Sequence, residues 1–352
     1  MKKLFTMTLC AAMMLGLFSG CGKESSGKVS SLETEPAVPT QSPEEEAVFK
    51  ILMIGQSHAQ DSVWMLYDVL KAHMPDREFV VVDVYQPLSI AQHIANIRAD
   101  AAVYDYIEFN GNSYKKTEGY RISVALKQEQ WDLIIFNEAT WPQINDASHT
   151  NGDIQWLTDY ILENAAPGVK LAYNATWSHP VTNIVYEEGR ANPPDIMPTR
   201  YLELFGGDKL KHFDRLCEVI TTYVETDPDY AYVFHGGTAL QYASETHGVP
   251  EGDRERKYDL FRDYTHLSDF GRLIVAYQIY AQLFCPEGLT EVKIDMIPAN
   301  MRATSREKAF GDLEITEAHK EAIIASVNYA LQNPNVAPPQ TARDQAIMTP
   351  ES

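Results

Sequence analysis

Apolar runs of strand length alternate with helical patterns along the chain from about residue 47. The five predicted strands, which are largely apolar and β-branched, are 51–54, 79–85, 133–136, 169–173 and 230–234. The helices predicted between them from apolar spacing are 63–73, 89–102, 154–164 and part of 201–226. Buried strands separated by helices are typical of a parallel sheet covered on both faces. The sequence therefore predicts an α/β fold, a three-layer α/β/α sandwich with a mostly parallel five-stranded sheet.

Two insertions interrupt this alternation. Residues 104–120 carry alternating aromatics around Asn110-Gly111, which predicts a β-hairpin. Residues 178–199 are rich in Pro and Asn and predict a long loop. Aromatic side chains in and near these segments could stack on sugar rings or pack in the protein. They are Tyr104, Tyr106, Tyr114, Trp141, Trp177 and Tyr186.

The N-terminus has the pattern of an export signal. Lys2 and Lys3 precede an apolar stretch that ends in Ser19-Gly20-Cys21, so we predict a signal peptide over 1–20. The ending resembles a bacterial lipobox, which implies lipid attachment at Cys21 and a location on the bacterial cell envelope or surface. An ordinary secreted protein or an uncleaved anchor are the alternatives.

The composition of the rest of the chain indicates a tether, a main domain, a C-terminal extension and a tail. Residues 21–46 are rich in Ser, Glu and Pro and predict a flexible tether. We expect the main domain over 47–286 and a C-terminal extension over 287–332. A helix over 316–331 is expected to pack on the domain. Residues 333–352 predict a disordered tail.

The formal net charge of −20 argues against nucleic acid as a partner, and against membrane contact other than through a lipid anchor.

Cys217 and Cys285 could form a disulfide or remain buried thiols. His58, His93 and Asp263 lack the spacing of zinc ligands, so we predict no metal and no cofactor. The oligomeric state stays open.

Ser57 is a candidate nucleophile. The first apolar strand ends at Gly55, and Ser57 follows just before a helical pattern. Ligands bind at the carboxyl ends of the strands in open α/β sheets, and helix N-terminal amides favour negative charge there. Helix capping is the alternative role for Ser57.

Asp263 and His266 are candidates for a carboxylate and a base that would act with Ser57. They lie three residues apart, just before a helical pattern over about 268–284. A serine nucleophile needs a base to take its proton, and the base needs a carboxylate to fix its tautomer. A capping loop with a surface histidine is the alternative.

Together these segments resemble the SGNH (GDSL-like) hydrolase family, most closely a branch left as a domain of unknown function. The resembling blocks run from Ile51 to Asp61, Trp131 to Glu138, Gly237 to Gln241 and Asp263 to Ser268. The resemblance covers about 50–284 and implies a flavodoxin-like fold. It also implies that Ser57 is the nucleophile, His266 the general base and Asp263 the orienting carboxylate.

The resemblance further implies an oxyanion hole built from the Ser57 N–H and two other donors. Asn137 fits one of them. The usual Gly after the second strand is absent and Pro87 has no N–H. The N–H of Leu88 or Ser89 could donate instead, or the site could be weakened. His58 could contact substrate or cap the helix, and Glu138 is a further candidate for substrate binding.

The sequence thus favours a surface-tethered serine esterase that works through an acyl-enzyme and removes ester groups, above all O-acetyl groups, from glycans or polysaccharides. A catalytically weakened glycan-binding lipoprotein is the first alternative, because part of the oxyanion hole is missing. A lipase or thioesterase is the second.

Overall fold

The computed structural model describes residues 48–111, 113–180, 204–251, 257–263, 265–299 and 311–339. The predicted signal peptide, the tether, Cys21, Tyr186 and most of the predicted 178–199 loop lie outside these ranges. Within them, no helix is long and apolar enough to cross a membrane.

The described residues form one large central sheet. Its strands are β1 (Phe49–Gly55), β2 (Phe79–Tyr85), β3 (Tyr104–Phe109), β4 (Tyr114–Tyr120), β5 (Leu133–Phe136), β6 (Lys170–Asn174) and β7 (Tyr230–Phe234). Their spatial order is β4-β3-β2-β1-β5-β6-β7. Strands β2, β1, β5, β6 and β7 are parallel, whereas β3 and β4 pair antiparallel. The α/β sandwich predicted from the sequence is confirmed.

The sheet has seven strands rather than the predicted five, because the predicted hairpin extends it. Strand β3 pairs with β2 and buries Tyr104 and Tyr106 against the helices. Six of the seven residues of β4 are exposed, and Lys115 and Lys116 lie along this outer strand. A charged edge strand resists pairing with another chain.

Helices cover both faces of the sheet. They are α1 (Ser57–Val63), α2 (Leu66–His73), α3 (Ile90–Arg98), α4 (Ile122–Gln128), α5 (Thr140–Ile144), α6 (Ala147–Thr150), α7 (Asp153–Asn164), α8 (Lys209–Val219), α9 (Gly236–His247), α10 (Asp269–Phe284) and α11 (Glu317–Gln332). A π-helical turn, Ile220–Val224, continues α8. Helix α11 covers nearly the whole range predicted for the final helix.

Alternate side chains of β1 pack against the two helical layers on opposite faces of the sheet. Ile51 and Met53 face a core shared with α1, α2, α9, α10 and α11. Leu52 and Ile54 face a second core shared with α3, α4 and α7. Because both faces of β1 are buried, the strand is apolar throughout, as expected for a central parallel strand.

The structure answers two questions left open by the sequence. Cys217 and Cys285 are free thiols, and Cys217 is buried. Among the aromatics suggested for sugar stacking, Tyr104, Tyr106 and Trp177 are buried in the protein. Side chains packed in this way are not available to stack on a ligand.

Candidate active site

The β1–α1 connection lies at the carboxyl edge of the sheet. Ile54 of β1 is in register with Phe136 of β5, so the residues that follow these two strands emerge side by side. A Cβ atom added to Gly55 would lie 2.6 Å from the Ala59 Cβ and 3.0 Å from the Asn137 Oδ1. Glycine is therefore required at this close approach.

Ser57, His266 and Asp263 are brought together by the fold. The Ser57 Oγ lies 2.7 Å from the His266 Nε2. The His266 Nδ1 lies 2.8 Å from the Asp263 Oδ2. Since an ionised carboxylate only accepts hydrogen bonds, Nδ1 carries the proton and Nε2 is left to accept the Ser57 hydroxyl. This is the arrangement that a serine nucleophile and its base require.

Asp263 is held as a carboxylate. Burial raises its pKa, but hydrogen bonds and charge from His266, together with the Thr265 N–H at 2.9 Å and the His266 N–H at 2.8 Å, outweigh burial and lower the pKa overall. Asp263 therefore stays ionised near neutral pH and can fix the tautomer of His266.

A buried ion cluster joins the two halves of the site. Asp61, one turn after Ser57 on α1, is fully buried. Its carboxylate accepts hydrogen bonds from Arg262 at 2.8 Å, Arg272 at 2.9 Å and the Leu267 N–H at 2.9 Å. The loop that carries Asp263 and His266 is thereby tied to the helix that carries Ser57. Asp61 stands inside the first resembling block, but its sequence position alone indicates no such role.

Thr265 anchors the same loop from the other side. Its hydroxyl lies 2.8 Å from the His58 Nε2 and 3.2 Å from the His179 Nε2. Its carbonyl accepts the Trp177 indole N–H at 2.7 Å. Because Thr265 lies between Asp263 and His266, these contacts fix the backbone on which the proposed acid–base pair stands. A threonine gives no sequence signal for such a role.

His58 is part of this anchor rather than a surface residue. Its ring packs on Trp177, with ring centroids 4.8 Å apart, and is only 3% exposed. Gln56, not His58, caps α1. Of the two roles suggested from the sequence for His58, helix capping is therefore wrong, and substrate contact stays a prediction. The bulk of the imidazole fills the interior behind Ser57 instead.

His58 and His179 are both neutral. Burial, followed by the charge of His266, lowers the pKa of His58 to about 3. Burial, followed by His58, lowers the pKa of His179 to about 3. Each ring then has one N–H and one lone pair, so the Thr265 hydroxyl can donate to one ring and accept from the other.

This neutrality predicts a pH dependence of stability. A buried His58 binds its proton only near pH 3, whereas in the unfolded chain it binds near 6.5. The unfolded state therefore holds more protons below pH 6.5, and the contribution of His58 to stability is lost as the pH falls from there. We expect the His58→Gln variant to reduce the slope of unfolding free energy against pH by about 1.4 kcal/mol per pH unit below pH 6.

Urea unfolding at several pH values measures this slope. His247→Gln is the matched control, because His247 is only half-buried and burial lowers its pKa less. An equal change of slope in both variants would contradict the account of His58.

Two candidate oxyanion donors lie beside Ser57. Ser57 is the first residue of α1, so its N–H has no acceptor within the helix. Asn137 follows β5 and is 1% exposed, and its Nδ2 has no hydrogen-bond partner among the described residues. A buried amide without a partner is unusual, because leaving such a donor unpaired costs about 1–3 kcal/mol.

The expected third donor is absent at the second strand. The Ser89 N–H donates to the Gln92 Oε1 at 3.0 Å, and Ser89 caps α3. The Leu88 N–H donates to the Gln86 carbonyl at 2.8 Å. Both suggested substitutes are engaged within their own segment, so the expectation for Leu88 or Ser89 is wrong.

Glu138 contacts α6. Its Oε2 accepts the Ser148 hydroxyl of α6 at 2.7 Å, and burial raises its pKa to about 7. His93 also lies elsewhere, with its Nδ1 3.0 Å from the Tyr104 hydroxyl. Across the described ranges, no three His, Cys, Asp or Glu side chains are arranged to hold a metal ion.

One family model matches part of the chain. Residues 50–187 match the family described as a domain of unknown function, DUF4886. The resemblance to a branch of unknown function, predicted from the sequence blocks, is thus confirmed. No curated protein matches the sequence.

One solved structure shows the same fold, and two others are less similar. A DUF4886 family protein from Bacteroides uniformis is 19% identical with a TM-score of 0.62, over 83% of this chain and 98% of that one. A candidate SGNH hydrolase from Slackia heliotrinireducens is 15% identical with a TM-score of 0.38, over 67% and 98% of the two chains. A lipase from a goat rumen metagenome is 11% identical with a TM-score of 0.36, over 66% and 96%. At these identities the first likeness shows the fold alone, and the other two are too distant to support an argument.

Proposed function

We propose that the chain is a serine ester hydrolase in which Ser57 is the nucleophile, His266 the general base and Asp263 the carboxylate that orients it. The observation that carries this proposal is the continuous hydrogen-bond chain from the Ser57 Oγ through His266 to Asp263. Ser57 and His266 are 209 positions apart in the sequence. A helix cap would need none of this alignment.

The first half of the reaction forms an acyl-enzyme. The Ser57 Oγ attacks the ester carbonyl carbon while the His266 Nε2 takes the hydroxyl proton. The carbonyl oxygen becomes an oxyanion, and the Ser57 N–H and Asn137 Nδ2 are the donors placed to stabilise it. As the carbonyl reforms, the bond to the leaving alcohol breaks, and that alcohol takes the proton from His266.

The second half returns the enzyme to its starting state. His266 takes a proton from a water molecule, whose oxygen attacks the acyl carbon. The bond to the Ser57 Oγ breaks, the carboxylic acid leaves, and the proton on His266 returns to Ser57. Asp263 remains a carboxylate throughout and stabilises the imidazolium form of His266.

The substrates we propose are short acyl esters, above all O-acetyl groups on glycans or polysaccharides at the cell surface. The buried rings of His58 and Trp177 fill the interior beside His266, which favours a small acyl group. Export and lipid attachment at Cys21, predicted from the N-terminal pattern, would place the domain where polysaccharides are found.

One observation favours a second candidate, a glycan-binding lipoprotein with weakened catalysis. Both backbone amides suggested after β2 are engaged elsewhere. Removing one oxyanion donor costs about 10²–10³ in kcat in other enzymes. A site with two donors could therefore bind an ester and turn it over slowly.

Initial rates with p-nitrophenyl esters of increasing chain length test the proposal. We expect the full chain to hydrolyse the acetyl ester faster than the octanoyl and palmitoyl esters, and to release acetate from an O-acetylated polysaccharide. The Ser57→Ala variant is the blank. A preference for the palmitoyl ester would favour a lipase, and well-folded protein without turnover on any ester would favour the binding protein.

A further inference from the structure

Gln56 stands between the nucleophile turn and Asn137, and a backbone donor fixes its orientation. The His58 backbone N–H lies 2.6 Å from the Gln56 Oε1. A backbone N–H can only donate, so the atom facing it must be the amide oxygen. The amide nitrogen of Gln56 therefore faces the other way.

This orientation determines that of Asn137. The Gln56 Nε2 lies 3.2 Å from the Asn137 Oδ1. An amide nitrogen is a donor, so Asn137 must present its oxygen to Gln56. The same oxygen lies over Gly55, where the absence of a side chain leaves room for it. Neither amide can rotate by 180° without setting two donors or two acceptors against each other.

The consequence is that the Asn137 Nδ2 is aimed away from Gln56. It is buried, and the described residues offer it no acceptor. Asn137 emerges beside the β1–α1 turn because β5 and β1 are neighbours in register. An acceptor that arrives with a substrate, such as a developing oxyanion, would satisfy this amide nitrogen.

We infer that Gln56 is a positioning residue, which fixes the Asn137 side-chain amide so that its N–H rather than its oxygen faces the oxyanion. This inference rests on the proposed esterase function. The hydrogen bonds all run in one direction. The His58 N–H donates to Gln56, the Gln56 amide donates to Asn137, and the Asn137 amide donates to the ester oxygen. Because no donor from the second strand is available, Asn137 and the Ser57 N–H carry the stabilisation between them.

Gln56→Glu is the nearly isosteric test of this polarity. The ionised carboxylate that this change introduces can still accept the His58 N–H, but it has no hydrogen to donate to the Asn137 Oδ1. We expect the Asn137 amide to turn and donate to the new carboxylate, which replaces an oxyanion donor by an acceptor. The expected result is a loss of about 10²-fold or more in kcat on p-nitrophenyl acetate, with KM little changed.

A double-mutant cycle with Asn137→Ala separates positioning from other effects of the new charge. If Gln56 acts through Asn137, adding Gln56→Glu to Asn137→Ala lowers kcat little further. If the two losses multiply, the inference is overturned. Gln56→Met gives a second, uncharged cycle with the same expectation, and it keeps the test valid if the glutamate variant does not fold.

The outcomes also separate this inference from the proposed function. Loss of turnover in Asn137→Ala, together with multiplicative losses in the cycle, would leave the esterase standing and remove the role of Gln56. Wild-type protein without turnover would overturn the proposed function, and this inference with it. A Gln56→Glu variant as active as wild type would overturn the inference alone.

Discussion

Replacing Ser57 by Ala is expected to reduce kcat for p-nitrophenyl acetate by about 10⁴-fold or more, because the attacking oxygen is removed. His266→Ala should cost about as much, since the hydroxyl then has no base 2.7 Å away to take its proton. Residues that act as one unit are strongly non-additive. The Ser57→Ala/His266→Ala double variant is therefore expected to be no slower than either single variant.

Steady-state rates on purified, folded variants measure this effect. Ser123→Ala is the matched control, because the Ser123 hydroxyl donates to the exposed Asp100 carboxylate at 2.5 Å. It should keep wild-type kcat and KM. Losses for Ser57→Ala and His266→Ala that multiply in the double variant would show that the two residues act separately, contrary to the triad.

Replacing Asp61 by Asn is expected to give the largest loss of stability, about 3–5 kcal/mol in the free energy of unfolding. The change keeps the shape of the side chain and removes its charge. Arg262 and Arg272 would then lose the central carboxylate that they share in a fully buried position. The Leu267 N–H would lose an ionised acceptor as well. Urea unfolding followed by circular dichroism measures the difference.

Asp105→Asn is the matched control for Asp61→Asn. Asp105 pairs with Lys116 at 3.3 Å on the outer part of the sheet, where both side chains contact solvent. Exposed pairs contribute about 0–1 kcal/mol, so this variant should be nearly neutral. Similar small losses in both variants would show that the Asp61 cluster does not hold the two halves of the site together.

The parts of the fold that follow from local patterns were predictable from the sequence. Strand β1 is apolar along its whole length because helices cover both of its faces, and that signal is visible in the residues alone. The positions of Ser57, Asp263 and His266 at element ends followed from turn and helix-start patterns. The expectation that these three side chains meet at one edge of the sheet came from the resemblance to the SGNH (GDSL-like) family.

What the sequence could not provide depends on contacts between distant residues. The hairpin of β3 and β4 has the pattern of an insertion, and only its pairing with β2 makes it part of the sheet. Ser89 was one of two residues suggested to donate an N–H to an oxyanion, but the side chain of Gln92 three residues later already accepts it. The role of Asp61 could not be inferred because its two arginines lie about 200 positions away in the sequence.

The most direct test of the central claim is to locate the residue modified by diisopropyl fluorophosphate. The reagent phosphorylates a serine only where a neighbouring base activates it. Tandem mass spectrometry of the treated chain is expected to show one adduct, on Ser57, that is lost in His266→Ala. Folded protein that acquires no adduct, or acquires one on another residue while Ser57 stays unmodified, would contradict the assignment of Ser57 as the nucleophile.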